Sequence, residues 1–551
     1  MNFCGLISAR CKTDNQSIFV LTSMGEIFVS RDHGNSWKSL KDQIHLSTIG
    51  FLGLMFGGPQ RGLYKFDGLI QSTSNGDHMI ITSNRFQSWA TTDCGLHWSL
   101  QPFLELFGFR YNPANASMIV ALSRKRCGIK TKEQPNCKEF NILYRSIDGG
   151  MSWKAIENYV YQYEWGIEKT ENNHPLNISS LVITKQENHQ VSQPRFLNKL
   201  SSKRHKISTF YSDDFFNTSK KIANGGFEFW LTNCCIYVNK LDNRGNTVLK
   251  VSRHATKKHQ WFNVRIFGTE NYENFKILDD IQGYYTYLYA KRKAGSGIYV
   301  ADLMSSKKDI GVNFTLAHRN MVVNDVAKIP SFEFLDSFFG LSLINVYDER
   351  MLDYFSKVDK SQKKGARAVL NLKKFILTKI SFNEGMSYDL IKPPKRDSLG
   401  RSYKCKSSSC SLHLHTREND QFPPILSDKS APGLLIANGN VGMHLDYNVK
   451  NLGTFVSSDG GLSWREVSKG VNTYQIGDSG GLIVLVPFDS LTDRALFSYD
   501  YGKSFNSVQF TEKNQYRVSE IGPERLQDSY LLLFSFTFLY SCCLTPFLSF
   551  F

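Results

Sequence analysis

An all-β chain assembled from small repeated sheets is what this sequence predicts, on three observations. One octapeptide pattern recurs five times, apolar-alternating runs flank its copies, and the spacing between copies fits a repeat of about 40–50 residues. The copies are SRDHGNSW at Ser30–Trp37, TTDCGLHW at Thr91–Trp98, SIDGGMSW at Ser146–Trp153, SSDGGLSW at Ser457–Trp464 and SYDYGKSF at Ser498–Phe505. Each has Ser or Thr, then Asp two residues on, Gly two further, and an aromatic three beyond that. At this composition roughly a few hundredths of a chance match is expected, so the repetition is not accidental.

The chemistry of the pattern says what each position does. Runs such as Glu26–Ser30, Ile142–Ser146, Thr454–Ser457 and Ala495–Ser498 enter a short Asp/Gly segment and a second run leaves it, which reads as a β-hairpin. Gly34, Gly95, Gly150, Gly461 and Gly502 supply the positive φ that the turn demands. Asp32, Asp93, Asp148, Asp459 and Asp500 accept hydrogen bonds from turn amides. Trp37, Trp98, Trp153, Trp464 and Phe505 fold back over the turn and bury it. A catalytic role for the acids is disfavoured: equivalent acids on successive hairpins lie tens of ångströms apart, while the two carboxyls of a glycosidase sit within roughly 5–10 Å.

The windows start at residues 30, 91, 146, 457 and 498, and the last spacing, 41 residues, is that of a four-stranded propeller blade. YSDDFFNTSKKI at Tyr211–Ile222 and SFNEGMSY at Ser381–Tyr388 are degraded copies, the second with Asn383 in place of the acid. The body to about residue 525 holds roughly ten blades' worth of chain. The fold class is therefore all-β, a large β-propeller, with residues 1–528 forming the propeller and 529–551 an apolar tail. That tail contains YLLLFSFTFLYSCCLTPFLSFF at Tyr530–Phe551, 22 residues without a charge. It is long enough for a membrane helix, but no basic residues follow it. A last-blade strand at Ser529–Thr537 and a translated non-coding scrap are the other readings.

Lys and Arg number 66 against 50 Asp and Glu, a formal net charge of +16. The excess is scattered over loops, with no aromatic interleaving and no nucleic-acid-binding signature, so nucleic acid is not an expected partner. The 11 cysteines include two pairs that bracket short polar loops, Cys127 with Cys137 and Cys405 with Cys410, at a spacing local disulfides tolerate. No Cys-x-x-Cys knuckle marks a zinc site. The cysteines favour an oxidising, luminal or extracellular compartment. Five Asn-x-Ser/Thr sequons, at Asn15, Asn115, Asn177, Asn217 and Asn313, are candidate glycosylation sites and agree with secretion, though the composition yields about that many at random. The segment MNFCGLISARCK has neither the basic start nor the apolar run of a signal peptide, so either the true start lies upstream or the protein is not secreted.

The octapeptide is the Asp box, shared by sialidases and certain polysaccharide hydrolases, and longer phrases narrow the field. TTDCGLHW with Asn112-Pro113, then LYRSIDGGMSW with YVYQYEWG, FYSDDFF with IANGG, the run from ISFNEGMSYDLIKPP to CKSSSCSLHLH, and APGLLIANGNVG resemble the luminal domain of the sortilin family of vacuolar and lysosomal sorting receptors. The resemblance runs in order from about residue 15 to 525. It implies a ten-bladed propeller that binds peptides and proprotein segments in a wide tunnel, with no catalytic residue, metal or cofactor. It also implies a single-pass membrane protein of Golgi and endosome whose propeller faces the lumen. The family places about another blade between GSGIYVAD and GVNFTLAHRN, so this chain either closes with nine complete blades or carries a gap. The ligand-carboxylate arginine of animal sortilin falls where this chain has Gly297, which makes Lys291, Arg292 and Lys293 the candidate ligand-binding cations. The rival readings are an Asp-box glycoside hydrolase, for which only the mid-chain Lys328-Ile329-Pro330 approaches the expected Arg-Ile-Pro, and a photosynthetic assembly factor. His413 and His415 alternate in SLHLH without a third metal ligand and read as surface or packing residues.

Overall fold

The computed structural model describes residues 7–536 except 14–15, 23–24, 35, 42–43, 45–64, 85–86, 102–104, 126–139, 167–177, 188–206, 233–234, 243–245, 253–260, 268–271, 279–284, 296–297, 308–310, 325–328, 359–371, 373, 404–409, 419–420, 511–514 and 524–530. The chain forms two compact units, residues 5–265 and residues 266–551 with 1–4.

The first unit is a series of five four-stranded antiparallel sheets, each a meander of consecutive strands. Sheet one runs Ile7–Arg10, Ile18–Leu21, Ile27–Ser30 and Lys38–Ser39; sheet two runs Phe66–Gln71, Met79–Ser83, Ser88–Thr91 and Ser99–Leu100. Sheets three, four and five start at Leu106, Val160 and Gly226 and end at Asn158, Asn224 and Asn263. The second unit repeats the design. Sheet six is Tyr272–Leu278, Tyr285–Gly295, Ile298–Lys307 and Asn313–Met321, and sheet seven is Phe332–Phe334, Ser342–Tyr347, Ile376–Ser381 and Asp389–Leu390. A single residue pair, Met321 with Val346, bridges the two. Sheet eight holds Ser411–Leu414, Leu435–Gly442, Gly453–Ser457 and Arg465–Lys469, and sheet nine holds Asn472–Gly477, Leu482–Pro487, Arg494–Ser498 and Asn506–Gln509. Tyr516–Pro523 pairs with both Leu491–Thr492 and Leu531–Phe536 in a last, three-stranded sheet. One ten-residue helix, Glu349–Val358, interrupts sheet seven between its second and third strands.

The segments between which the family resemblance places another blade are neighbours in one sheet. Ile298–Lys307 pairs with Asn313–Met321 directly, Ala301 opposite Met321 and Leu303 opposite His318. Among the described residues six sheets have four strands, sheets six and seven join in one of nine strands, sheet eight carries Leu426–Ser427 as a fifth strand, and one sheet of three strands and one of two complete the set.

The second strand of each sheet shows why the sheets stack. Alternation with one solvated face is the signature of a half-buried strand, but Met79–Ser83, Leu181–Gln186, Ile236–Leu241 and Ser342–Tyr347 are buried along nearly their whole length. In sheet two, Met79 and Ile81 pack with residues of sheet one, while Ile80 between them packs with Leu106, Phe109 and Ile119 of sheet three. In sheet four, Leu181 and Ile183 pack against sheet three and Val182 against Phe229 and Ile236 of sheet five. The second unit does the same: Leu343 joins sheet eight through Leu412 and Leu435, and Ile344 joins sheet six through Leu303 and Met321. Sheets two, four and seven are therefore apolar on both faces and bury them against neighbouring sheets of the same unit, so the core of each unit includes a row of inter-sheet layers.

Candidate functional site

The Asp boxes sit between the third and fourth strands of sheets one, two, three, eight and nine, with the degraded copies at the same place in sheets four and seven. In the box of sheet eight, Ser457 Oγ donates to Asp459 Oδ1 at 2.8 Å and accepts from Gly461 N at 2.8 Å. The Asp459 carboxylate also accepts from Ser463 N at 2.9 Å and from Ser463 Oγ, and Trp464 Nε1 donates to Gly461 O at 3.1 Å. Asp32, Asp148 and Asp500 take the same backbone bond from Ser36, Ser152 and Ser504, and Asp93 takes it from His97. Trp37 and Trp153 cap Gly34 and Gly150 as Trp464 does, whereas the buried Trp98 Nε1 finds no acceptor. The degraded copies keep the geometry: Asp214 accepts from Thr218 N and Asn383 Oδ1 from Ser387 N.

Two consecutive left-handed residues make the turn. The glycine position has φ of 92° at Gly34, 69° at Gly95, 98° at Gly150, 92° at Gly461 and 71° at Gly502, and the residue before it is left-handed as well, at His33, Cys94, Gly149, Gly460 and Tyr501. In sheet four Phe216 holds this conformation without being glycine, at φ 62°, which the burial of its ring offsets. Burial raises the Asp93, Asp148 and Asp459 carboxyls, but the hydrogen bonds within the box outweigh it and leave all three below the usual carboxylate range. At Asp214 the Thr218 amide and hydroxyl bring the carboxyl down to about 2. Each acid is thus ionised and consumed by its own turn. Asp459→Ala is expected to lower the unfolding free energy of the second unit by about 1–3 kcal/mol, because it leaves turn donors unpaired; a urea titration reads this directly.

Beyond the octapeptide, arginines tie one box to the next. Arg31 of sheet one donates to Cys94 O at 3.0 Å and Gly95 O at 3.2 Å in the box of sheet two. Arg145 beside the third box reaches Phe215 O and Asn217 Oδ1 in sheet four, and Arg465 after the eighth-sheet box reaches Gly502 O and Lys503 O in sheet nine. The arginines occupy different offsets from their own boxes, so no fixed spacing announces them.

Cys127, Cys137 and Cys405 lie outside the described residues, while Cys410 and Cys235 are each disulfide-bonded. A pairing that the spacing did not reveal joins Cys11, after the first strand, to Cys94 inside the second box, across 83 residues. Of the sequons, Asn115 is exposed where sheet three turns from its first strand to its second, and Asn313 is half-buried. Asn217 is held within its box, donating from Nδ2 to Asp214 O. Asn15 and Asn177 lie outside the described residues.

The cations Lys291, Arg292 and Lys293 do not converge. They alternate along Tyr285–Gly295, opposite Ala301, Val300 and Tyr299, so Arg292 points to the other face from its neighbours. Arg292 is buried, donating from Nε to Asp302 Oδ2 at 2.8 Å and from Nη2 to Asn320 Oδ1 at 2.6 Å, and its charge is spent on that carboxylate. Lys291 Nζ lies 4.8 Å from the centre of the Tyr299 ring, and Lys293 is exposed. Gly297 and Lys328 are outside the described residues, and Ile329-Pro330 forms a two-residue strand against Val323–Asn324.

His413 and His415 are fully buried packing residues. His413 Nδ1 accepts from Thr378 N at 3.1 Å, and His415 sits between Phe422 and Tyr447 with Nε2 donating to Asp446 O at 3.1 Å. Two buried carboxyls, Glu333 and Glu418, are pushed upward by desolvation, Glu333 to about 7. Glu333 accepts from Arg417 N, and Glu418 from Thr416 Oγ1 and from Asn345 Nδ2 at 3.4 Å.

The family model described as "Sortilin, neurotensin receptor 3" (Sortilin-Vps10) matches residues 25–521. The chain belongs to the Sortilin-Vps10 family. Its β-sheets are accordingly those of a β-propeller. A "Vacuolar protein sorting/targeting protein 10" of Fusarium vanettenii is 27% identical over 508 residues, 89% of this chain and 30% of that protein. "Vacuolar protein sorting/targeting protein PEP1" of Saccharomyces cerevisiae is 35% identical over 243 residues, 43% of this chain and 14% of that protein. This Sortilin-Vps10 chain spans about a third or less of the length of these relatives. Among solved structures, a GH74 enzyme of Niastella koreensis aligns over 96% of this chain and 70% of its own at 12% identity and a TM-score of 0.29, a likeness too loose to bear on chemistry.

Proposed function

We propose that this chain is the cargo-binding propeller of a non-enzymatic sorting receptor that takes peptide or proprotein segments for Golgi-to-endosome and vacuolar or lysosomal transport. The observation that carries the reading is family membership along most of the chain, with relatives named for vacuolar protein sorting and targeting. Cargo enters the propeller tunnel that the family resemblance implies, and backbone pairing at strand edges with side-chain pockets supplies affinity. Lys291 and Lys293, which share a strand face, are the cations of the basic trio offered to cargo. The propeller faces the lumen of Golgi and endosome, with membrane association supplied by the full-length receptor. The hydrogen-bonding of the boxes supports a binding role over a hydrolytic one, since each acid is held in its own turn by several donors and sits on a separate sheet from the next.

The test is retention of luminal hydrolase propeptides on the immobilised, folded chain. Retention at micromolar concentration is expected, and none above background counts against the reading. The hydrolase alternative keeps one foothold, the raised carboxyl of Glu333, because a general acid must hold its proton near neutral pH. Turnover of fluorogenic glycosides that disappears in Glu333→Gln would replace the receptor reading with that one.

A further inference from the structure

Sheet eight ends in a polar cavity of about 560 Å³, bounded by the turn from Asn440 to Leu452, by Arg401 and by Lys469 at the close of the last strand. We propose that this cavity binds an acidic segment of a peptide, with Arg401 and Lys450 receiving its carboxylates. The inference rests on the cargo-binding reading and names a chemistry for one part of the cargo.

Its walls are built before any ligand arrives. On one side, Asn440 Nδ2 donates to His444 O at 2.9 Å while its Oδ1 accepts from Asp446 N at 2.9 Å, which closes the turn. Asp446 then accepts from Asn448 N at 2.9 Å and Asn451 Nδ2 at 2.6 Å. On the other side, Asp397 accepts from Leu399 N, from Arg401 N and Nε and from Lys469 Nζ, holding the loop that carries Arg401 against the strand end. Glu466, buried beneath, accepts from Ser398 N at 3.1 Å, from Tyr403 OH and from Lys469 Nζ at 2.7 Å. A ligand meeting these groups does not pay to order them.

Two cations of the lining keep donors to spare. Arg401, Lys450 and Lys469 line the cavity with one carboxylate, Asp446, which its own turn engages, while Lys469 is already paired with Asp397 and Glu466. Arg401 commits Nε to Asp397, so its two Nη groups remain for a fork-shaped contact with a carboxylate. Lys450 is exposed with no acidic partner among the described residues. The volume lies within the roughly 300–1,000 Å³ of cavities that take multi-atom ligands and is many times the roughly 30 Å³ of one water, so a lone small ion underfills it. Two carboxylates spaced along one extended chain suit Arg401 and Lys450.

The experiment measures fluorescence anisotropy of a labelled Glu-Asp-Glu-Asp peptide and of its Gln-Asn-Gln-Asn counterpart titrated with the full chain, in parallel with cargo-propeptide retention. The acidic peptide is expected to bind at least ten-fold more tightly than the neutral one. Lys450→Glu is expected to weaken it at least five-fold, whereas Lys220→Glu, the same change at an exposed site on another sheet, leaves it within two-fold. Lys450→Gln, which removes charge without reversing it, is expected to fall between. Equal binding of both peptides, or equal loss from the two charge reversals, would show attraction to the general positive charge of the chain and overturn the proposal. Propeptide retention without any acidic preference would sink this inference and leave the cargo reading standing; loss of both would remove both.

Discussion

The second unit, residues 266–551, is expected to lose about 3 kcal/mol of unfolding free energy between pH 7 and pH 5. Three imidazoles produce the effect. Desolvation pushes His318, His413 and His415 each down to about 4, outweighing the backbone hydrogen bonds that favour their protonated forms. His413 Nδ1 must be unprotonated to accept from Thr378 N, and His318 Nε2 lies 3.0 Å from the Lys379 ammonium, where a second positive charge is repelled. A folded pKa below the unfolded 6.5 means that the stabilisation is full above pH 6.5 and drains as pH falls toward 4. Between pH 7 and pH 5 the three imidazoles together cost about 5 kcal/mol. Glu333 works in the opposite sense: its carboxyl is raised from 4.5 to about 7, so acidification relieves about 2 kcal/mol of strain. The balance remains a loss. Urea midpoints at the two pH values measure it, and a flat or rising midpoint would show that the imidazoles are solvated.

Removing the Cys11–Cys94 bridge is expected to cost the first unit roughly 4–5 kcal/mol, the loop-closure value for a bridge spanning 83 residues. The bridge fastens the first strand of the chain to a box whose Cys94 is itself left-handed at φ 59°, with Arg31 donating to the same residue's carbonyl. Cys11→Ala with Cys94→Ala should therefore melt residues 5–265 well before residues 266–551, and dithiothreitol should reproduce the shift in the wild-type chain. A melting profile indifferent to both treatments would mean that inter-sheet packing alone holds the first sheet. An oxidising compartment, already favoured by the cysteine count, is what such a bridge requires.

The legibility of this fold in its sequence follows from how locally each feature is encoded. A box is closed by residues within eight positions of one another, so Ser457, Asp459, Gly461 and Trp464 announce their turn without help from the rest of the chain. Even Asn383, which lacks the charge, can be assigned because its amide oxygen accepts the same bond from Ser387 N. The double left-handed turn was only half visible. Glycine marks its second residue, but the first is His, Cys, Gly, Phe, Glu or Tyr, because its backbone conformation is imposed by the box and its side chain is free to vary. Contacts between sheets were not legible. Cys11–Cys94 and the arginines of successive boxes join residues separated by dozens of positions, and no periodicity specifies which cysteine or arginine meets which turn. The basic run Lys291–Lys293 was only partly legible for a different reason. Charge is read from sequence as a sum, but strand alternation turns Arg292 inward to Asp302, and only the strand register reveals that. That His413 and His415 pack rather than lie at the surface, and that their basicity is depressed, depends on neighbours far along the chain.

On the proposed reading the repeated acids hold turns, and the propeller grips polypeptide without cleaving it. Isothermal titration of a luminal hydrolase propeptide into the folded chain tests it most directly. The account predicts saturable binding at micromolar or tighter affinity, retained in Asp459→Ala under conditions where that variant stays folded. No heat of binding from a chain with an intact melting transition, or binding abolished by Asp459→Ala without loss of fold, would contradict it.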